Sequence, residues 1–501
     1  MKGLSAVVVP TEIRRNDAPR RAPWRVVVAV GLAALVAGCG SVGVRDEMIS
    51  PASRNADTAL LTPKTDAEHD RIVASYGGLY DDPAAAQAIA RSVGRIVAAS
   101  DDPAQSYRIT ILNSPAINAF ALPNGNLYVT RGLLALADDT SEVAAVIAHE
   151  MAHVTARHAV ARARRAEAAS EVNRVVANVM QDQDAQRLAL ASTQLSLARF
   201  SQVQELEADA IGIRTLARAG FDPFASSRFL SQMARFADYR AHRGVGASPR
   251  NPDFLSTHPS TPERIAFAVR AAREIGAPGI GEQEKDQYLL GLDGMVYGDD
   301  PTEGFVRGRS FLHKGLGIQF TVPQSYSLEN TTKAVLGTDQ TGSAMRFDGV
   351  ALPPETSLVD YLGTGWVNGL DAASIREATV GEFSTATATA HADGWIFQIG
   401  LLRKGRTVFR FIFAAQEGQP ALEAALAETM GSFRRLTPEE SARLRPLHLR
   451  LVRVKPGDTV DRLAEQMGGI ERKADLFRVL NGLGPTDPVE PGHLVKIVTD
   501  S

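Results

Sequence analysis

Apolar residues recur at helical spacing in the first hundred residues after the N-terminal segment. Residues 66–100 predict a pair of helices that is interrupted at Gly77-Gly78, and the second helix runs from Pro83 to Ala99. Residues 106–112 alternate between polar and apolar side chains, which is typical of a strand.

The next stretch, Asn118–Thr130, predicts a β-hairpin with Asn124-Gly125 as its turn. Pro123 lacks an N–H group, so the first arm fits best at the edge of a sheet. A peptide can add itself to such an edge as a further strand. The candidate substrate-binding residues are Asn118, Ala119, Phe120 and Ala121. An ordinary hairpin of the core remains the alternative.

A helix rich in apolar residues is predicted across Ser141–Ala159, with Asp139 as N-cap and Glu142 completing a capping box. No Gly or Pro interrupts it before Arg165, so we expect it to continue to that residue. Residues 160–200 are also helical and rich in Ala, and either cover a site or act as a spacer.

Two further pattern changes divide the second half of the chain. A Gly-rich bridge at 284–314 precedes an alternating strand near Ile318, a helix at Ser357–Leu370, a hairpin around Lys404-Gly405 and a final helix at Pro420–Phe433. This is the pattern of a small α+β sandwich at 315–440. Residues 448–499 then predict a strand, two short helices and a strand.

The composition of the chain limits the number of domains, the kind of partner and the possible disulfides. The chain has 501 residues, which suggests about three domains, and its hydrophobic content of 44% is ordinary for globular proteins. The net charge of −3 argues against a nucleic-acid partner. The single cysteine, Cys39, excludes an intrachain disulfide.

Cys39 ends a segment with the layout of a signal peptide, in which arginines precede a short apolar run at Val26–Ala37. Val36–Cys39 resembles a bacterial lipobox. This resemblance implies a signal peptide at 1–38, lipidation of Cys39, a tether at 39–65 and a location at the periplasmic face of the outer membrane. The alternative is an uncleaved N-terminal anchor helix.

The predicted helix from Ser141 contains the pattern H-E-x-x-H at 149–153. Residues four apart lie on one helical face, so His149 and His153 can hold one ion together. The intervening Glu150 then lies near the open coordination position, where it can accept a proton from water. A surface helix that carries two histidines by accident is the alternative.

A zinc ion held by two histidines needs a third protein ligand and one open position. Glu205 and Asp209 share one face of a later predicted helix and are the candidates. The alternative is a solvated acidic face.

Four motifs in this order resemble one family, and they cover about residues 65–275: Asn118–Gly132, His149–His158, Glu205–Pro223 and Ser256–Ile265. They are similar to the gluzincin metallopeptidases grouped with the CAAX prenyl protease and the bacterial heat-shock membrane protease. The most similar branch is periplasmic and acts in outer-membrane protein assembly. The resemblance implies an α+β fold class, with a mainly helical zinc peptidase domain at 66–283 and a small edge-strand sheet.

The same resemblance assigns roles to individual residues. It implies one Zn²⁺ per chain, bound by His149, His153 and Glu205, with Glu150 as general base. Asp209 is then expected to orient a ligand imidazole from outside the metal.

Two residues of the fourth motif are candidates for further catalytic roles. His258 follows Gly244–Pro252, a stretch expected to move. We predict that it reaches the open position of the zinc, where it either blocks water until substrate arrives or assists the reaction. Arg264 is predicted to stabilise the developing oxyanion. The alternative for His258 is a hydrogen-bonded loop anchor.

Residues 448–499 resemble a LysM module, which implies binding of peptidoglycan between the loops at 457–459 and 481–483. A degenerate, protein-binding module is the alternative. Together, these features predict a lipid-anchored zinc endopeptidase that acts on misfolded or stalled envelope proteins, with the outer-membrane assembly machinery as a partner. A chaperone or scaffold with gated proteolysis, and a peptidoglycan-binding lipoprotein with an inactive peptidase domain, are the competing hypotheses.

Overall fold

The computed structural model of the chain describes residues 64–179, 183–241, 254–417 and 422–500. The predicted signal peptide, Cys39, most of the tether and the predicted moving stretch at 244–252 lie outside the described residues. Within the described ranges, no helix has the length and apolarity needed to cross a bilayer.

The first half of the described chain is mainly helical, as its apolar pattern predicts. Its helices are α1 (Lys64–Ser75), α2 (Pro83–Ala99), α3 (Arg131–Leu136), α4 (Thr140–Thr155), α5 (His158–Val179), α6 (Gln183–Arg218), α7 (Ala225–Ala241), α8 (Phe254–Thr257), α9 (Pro262–Ile275) and α10 (Lys285–Leu292).

A three-stranded sheet lies among these helices, with strands β1 (Arg108–Leu112), β2 (Ala119–Ala121) and β3 (Asn126–Thr130). Their order is β1-β3-β2, with β1 parallel and β2 antiparallel to β3. The predicted hairpin is therefore confirmed, and Gly125 adopts a φ of 86° in its turn. Strand β2 lies at the edge of the sheet, which was the position expected from Pro123.

Helix α4 starts where the sequence predicts, because the Asp139 side chain accepts a hydrogen bond of 2.8 Å from the Glu142 N–H group. The Glu142 carboxylate accepts from the N–H group of Asp138, one residue before the N-cap. The predicted continuation to Arg165 is wrong. Helix α4 ends at Thr155 because Arg157 adopts a left-handed φ of 55°, which breaks the helix before α5 begins.

The second half contains antiparallel sheets and short helices. Strand β4 (Val296–Tyr297) is followed by β5 (Phe305–Arg307), β6 (Ser310–His313) and β7 (Ile318–Thr321), and these three form a sheet with β15 (Arg434–Arg435) in the order β15-β7-β6-β5. The stretch 284–314 also contains α10, in which Tyr288 and Leu289 are buried.

The largest sheet has seven strands in the order β11-β12-β13-β14-β10-β9-β8. They are β8 (Tyr326–Asn330), β9 (Val335–Asp339), β10 (Ala344–Ala351), β11 (Leu370–Val380), β12 (Phe383–Ala392), β13 (Trp395–Lys404) and β14 (Thr407–Gln416). The predicted hairpin around Lys404-Gly405 is β13-β14. The helix predicted at Ser357–Leu370 is shorter, because α11 (Leu358–Leu362) gives way to turns in which Gly365 has a φ of 80°. Helix α12 (Leu422–Gly431) packs on this sheet.

The C-terminal elements have the predicted order of strand, two helices and strand. After α13 (Pro438–Arg443) come β16 (Leu447–Arg453), α14 (Val460–Glu465), α15 (Lys473–Leu480) and β17 (Leu494–Thr499). Strand β16 pairs with both β17 and β4. Leu449 and Phe477 share one hydrophobic core with Val143 and Ile147 of α4, so the C-terminal segment packs directly against the helical part.

Candidate metal centre

Helix α4 supplies three of the predicted site residues. His149, Glu150 and His153 are buried, with exposed fractions of 6%, 4% and 7%. The four-residue spacing directs both imidazoles to one side, and their Nε2 atoms lie 3.0 Å apart. Two ring nitrogens at this separation share a single binding position.

Helix α6 supplies the acidic residues. It packs closely on α4 at Gly212, where an added Cβ atom would lie 3.2 Å from the backbone nitrogen of His149. This close approach brings Glu205 to the two histidines. Its carboxylate oxygens lie 3.3 Å from His149 Nε2 and 3.4 Å from His153 Nε2.

These separations fit a zinc ion. Zn–N and Zn–O bonds of about 2.0–2.1 Å at tetrahedral angles place neighbouring ligand atoms about 3.3 Å apart. In addition, Glu205 Oε1 and Glu150 Oε1 are buried and have no hydrogen-bond partner among the described residues. Buried carboxylate oxygens without partners are costly, and a bound cation with its water would satisfy both. The donor set and its orphaned atoms therefore suit zinc.

His258 is brought to the same position by α8. Its Nδ1 atom lies 2.9 Å from Glu205 Oε2 and 3.3 Å from His149 Nε2, so four residues offer ligand atoms within 4.8 Å of one another. The His258 ring stacks on Phe254, with centroids 4.6 Å apart, and the Phe254 N–H group donates to the carbonyl of Ile117. The imidazole is thus connected to the segment that leads into edge strand β2.

Asp209 and Arg264 contact the candidate metal ligands His149 and Glu205. Asp209 Oδ1 lies 3.0 Å from His149 Nδ1, which is the arrangement expected of a carboxylate that orients an imidazole. Arg264 Nε and Nη2 donate to the two oxygens of Asp209 at 2.8 and 2.7 Å, and Nη1 lies 3.1 Å from Glu205 Oε2. These contacts support a positioning role for Arg264. The predicted oxyanion contact remains a prediction.

His158, five residues after His153, also lies against the site. Its Nδ1 atom lies 2.8 Å from Nδ1 of His153, and its Nε2 atom lies 3.4 Å from Glu207. The left-handed residue Arg157 makes this possible, because it turns the chain back after α4. No local pattern in the sequence indicates that turn.

The pKa values of the two glutamates are shifted in opposite directions. Burial raises the pKa of Glu150, and nearby His258 and His149 only partly offset it. Burial also acts to raise the pKa of Glu205, but hydrogen bonds from His149 and His258 outweigh it and lower that pKa. Glu205 therefore has the character of an ionised ligand and Glu150 that of a proton acceptor.

Asn118 and Phe120 connect the edge strand to neighbouring elements. Asn118 donates through Nδ2 to the Tyr76 hydroxyl at 3.0 Å, and its carbonyl accepts from the N–H group of Thr130. Phe120 stacks on Tyr128 with a centroid distance of 4.9 Å. Helix α4 packs against β2, so this strand lies next to the helix that carries His149 and His153.

Replacing Asp209 by asparagine is expected to weaken zinc binding by about 10–100-fold, because the negative charge that orients the His149 ring is lost. Zinc affinity measured by competition with a chelating dye tests this. The Asp238→Asn variant on α7 is the control. Equal affinities in Asp209→Asn and wild type would contradict the orienting role.

Comparison with known proteins agrees with this geometry. Residues 83–272 match the model of peptidase family M48 and include every ligand candidate. The chain is 33% identical over 221 residues to the beta-barrel assembly-enhancing protease of Escherichia coli K12, a match that covers 42% of this chain and 43% of that protein.

Two eukaryotic proteins are also similar to part of the chain. The mitochondrial metalloendopeptidase OMA1 of Schizosaccharomyces pombe is 32% identical over 189 residues, covering 35% of this chain and 50% of that protein. The human mitochondrial metalloendopeptidase OMA1 is 32% identical over 174 residues, covering 33% and 32%. The chain thus spans half or less of the length of each of these relatives. Residues 83–272 of this chain are therefore similar to peptidase family M48.

Proposed function

We propose that this protein, whose residues 83–272 match peptidase family M48, is a zinc-dependent metalloendopeptidase of the bacterial cell envelope. The observation that carries the proposal is the convergence of His149, His153 and Glu205 around one position, with Glu150 beside it. The names of the relatives support the class of reaction, since they are a protease and metalloendopeptidases.

In this proposal, His149 and His153 bind zinc through Nε2 and Glu205 binds it through its carboxylate. Bound zinc supplies Lewis acidity, which makes water a better nucleophile and polarises the scissile carbonyl. Glu150 accepts the proton of the attacking water and delivers it to the leaving amine.

The substrate is proposed to add to β2 as a further strand, through the backbone of Asn118, Ala119, Phe120 and Ala121. Backbone hydrogen bonds require an extended polypeptide but few particular side chains. This supports unfolded chains as the substrate class, because the strands of a folded protein are already paired and cannot add to β2.

We further propose that His258 gates the site. Its Nδ1 atom lies where a fourth zinc ligand would lie, 2.9 Å from Glu205 and 3.3 Å from His149. An imidazole in that position excludes the water that Glu150 needs. Since Phe254 ties the same segment to Ile117, a strand that adds to β2 is positioned to displace His258.

The His258→Ala variant is expected to cleave an unfolded substrate several-fold faster than wild type, because water then enters without displacing a ligand. Zinc content is expected to stay near one per chain, because three ligands remain. Initial cleavage rates and metal analysis measure both, with the exposed His493→Ala as control. A lower rate would indicate that His258 assists the reaction instead, and an unchanged rate would contradict both roles.

The cellular setting rests on the lipobox-like segment before Cys39 and on the E. coli relative, whose name refers to β-barrel assembly. We propose a lipoprotein at the periplasmic face of the outer membrane, which degrades misfolded or stalled envelope proteins and works near the assembly machinery. For residues 448–499, the LysM resemblance leaves two hypotheses, peptidoglycan binding and a degenerate, protein-binding module, and a pull-down with purified sacculi distinguishes them.

A chaperone or scaffold is the second candidate, favoured by the closed arrangement of His258 over the site. Incubating the full chain with casein and with an unfolded outer-membrane protein separates the two. Cleavage by wild type but not by Glu150→Gln supports the peptidase. Suppressed aggregation without cleavage, equal in both proteins, supports the chaperone.

A further inference from the structure

A lysine near the C-terminus is buried against the peptidase domain. Lys496 lies on β17 and has an exposed fraction of 0%. Its Nζ atom donates to three successive carbonyls, those of Ala135 at 3.1 Å, Leu136 at 2.9 Å and Ala137 at 2.7 Å. It also lies 2.9 Å from Asp138 Oδ1.

These carbonyls belong to the connection between α3 and α4, the helix that carries His149, Glu150 and His153 and that we call the zinc helix. Residues 135–138, which we call the corner, contain the C-terminal end of α3 and the residues before the α4 N-cap, Asp139. Helix α3 itself starts directly after β3, the partner of edge strand β2. The corner therefore sets the angle between the strand expected to receive substrate and the helix that carries His149, Glu150 and His153.

The corner is a favourable environment for the positively charged Lys496 side chain. The last carbonyls of a helix have no partners within the helix and carry partial negative charge, which an ammonium group at the C-terminal end neutralises. Burial lowers the pKa of Lys496, and the adjacent carboxylate of Asp138 opposes that effect. An ammonium group removed from water is costly unless it is paired, so its three carbonyls and one carboxylate indicate a built contact.

The loop at 481–483 packs on the same corner. Gln232 of α7 donates to the carbonyls of both Leu136 and Val479, at 2.8 and 3.0 Å. Gly482 has a φ of 66° and lies so close to Asp138 that any side chain there would collide with its carboxylate. This loop is one side of the groove predicted to bind glycan, so that side faces the peptidase domain.

We infer that the C-terminal segment 447–500 is a built-in part of the peptidase and that Lys496 is a positioning residue, which fixes the edge strand relative to the zinc helix. The inference rests on the proposed peptidase function for its effect on turnover. The intramolecular contact itself does not depend on that function. It also favours the peptidase domain over a glycan as the partner of the 481–483 loop.

The test compares full-length Lys496→Met with the matched control Lys455→Met, since Lys455 is exposed. In Lys496→Met we expect amide hydrogen exchange in residues 131–155 to rise at least about tenfold and the kcat of the zinc-loaded protein to fall by about ten- to a hundredfold, because small misplacements at the reacting centre are costly. The KM is expected to change little, because β2 itself remains.

A charge-balanced variant separates positioning from stability. Asp138→Asn combined with Lys496→Met removes the unpaired carboxylate, so thermal stability is expected to recover toward wild type. The kcat is expected to stay low, because the three carbonyls are still not held. Lys496→Gln keeps a shorter neutral donor and is measured in parallel, should the methionine variant not fold. Its hydrogen exchange at 131–155 and its kcat are expected to lie between those of wild type and Lys496→Met.

Unchanged hydrogen exchange at 131–155 in folded Lys496→Met and Lys496→Gln would overturn the inference, as would a kcat within twofold of wild type. Recovery of both stability and kcat in the double variant would also overturn positioning. If wild type cleaves nothing, the proposed function fails, and the hydrogen-exchange comparison still decides whether the C-terminal segment braces the corner.

Discussion

Replacing Glu150 by glutamine is expected to reduce peptide hydrolysis by about 10²–10⁴-fold, because the amide cannot accept the proton of the attacking water. The ligands His149, His153 and Glu205 are untouched, so bound zinc is expected to remain near one per chain. Glutamine has the same shape and size as glutamate, and it removes a buried carboxylate oxygen that has no hydrogen-bond partner in the described chain. Thermal stability is therefore expected to be at least that of wild type.

The measurement is the initial rate of cleavage of an unfolded protein, combined with metal analysis of the same sample. Glu274→Gln is the control, since Glu274 is exposed on α9. Full activity in zinc-loaded Glu150→Gln would show that another group acts as the base.

Replacing Glu205 by glutamine is expected to weaken zinc binding by at least about 100-fold, more than loss of an outer carboxylate usually costs. The neutral amide is a poor zinc ligand and removes the negative charge that balances the ion. Hydrolysis is expected to be lost together with the metal. Metal content after dialysis, and activity before and after added zinc, measure both effects.

Glu207→Gln provides a matched comparison on the same helix, two residues away. The structure places Glu205 within 3.4 Å of both histidines, whereas Glu207 contacts His158. Loss of zinc in Glu207→Gln with retention in Glu205→Gln would reverse this assignment.

Local signals in the sequence were sufficient for much of the site. The start of α4 follows from Asp139, whose side chain caps the helix as expected. The four-residue spacing of His149 and His153 places both rings on one face. The hairpin that contains β2 follows from Asn124-Gly125.

Other features depend on contacts that no local pattern encodes. The end of α4 was missed because Arg157 adopts a left-handed conformation that its neighbours do not indicate. The contact between Lys496 and the corner joins residues about 360 positions apart in the sequence. In sequence alone, Lys496 is a single charged residue in the otherwise apolar run 494–498, and its burial depends on which surface covers that strand.

His258 lies between these cases. The resemblance brought it forward as a candidate, and the structure adds the distances that group it with His149, His153 and Glu205. Its stacking on Phe254 and the link to Ile117 were not visible in the sequence, because they depend on how α8 packs beside the sheet.

The central claim is that one zinc ion is held by two histidines of α4 and a glutamate of α6. A crystal structure of the zinc-loaded protein, with anomalous data collected on both sides of the zinc edge, tests it most directly. We predict a single peak within about 2.0–2.2 Å of His149 Nε2, His153 Nε2 and a Glu205 oxygen. An absent peak, or one whose ion is not bonded to Glu205, would contradict the account.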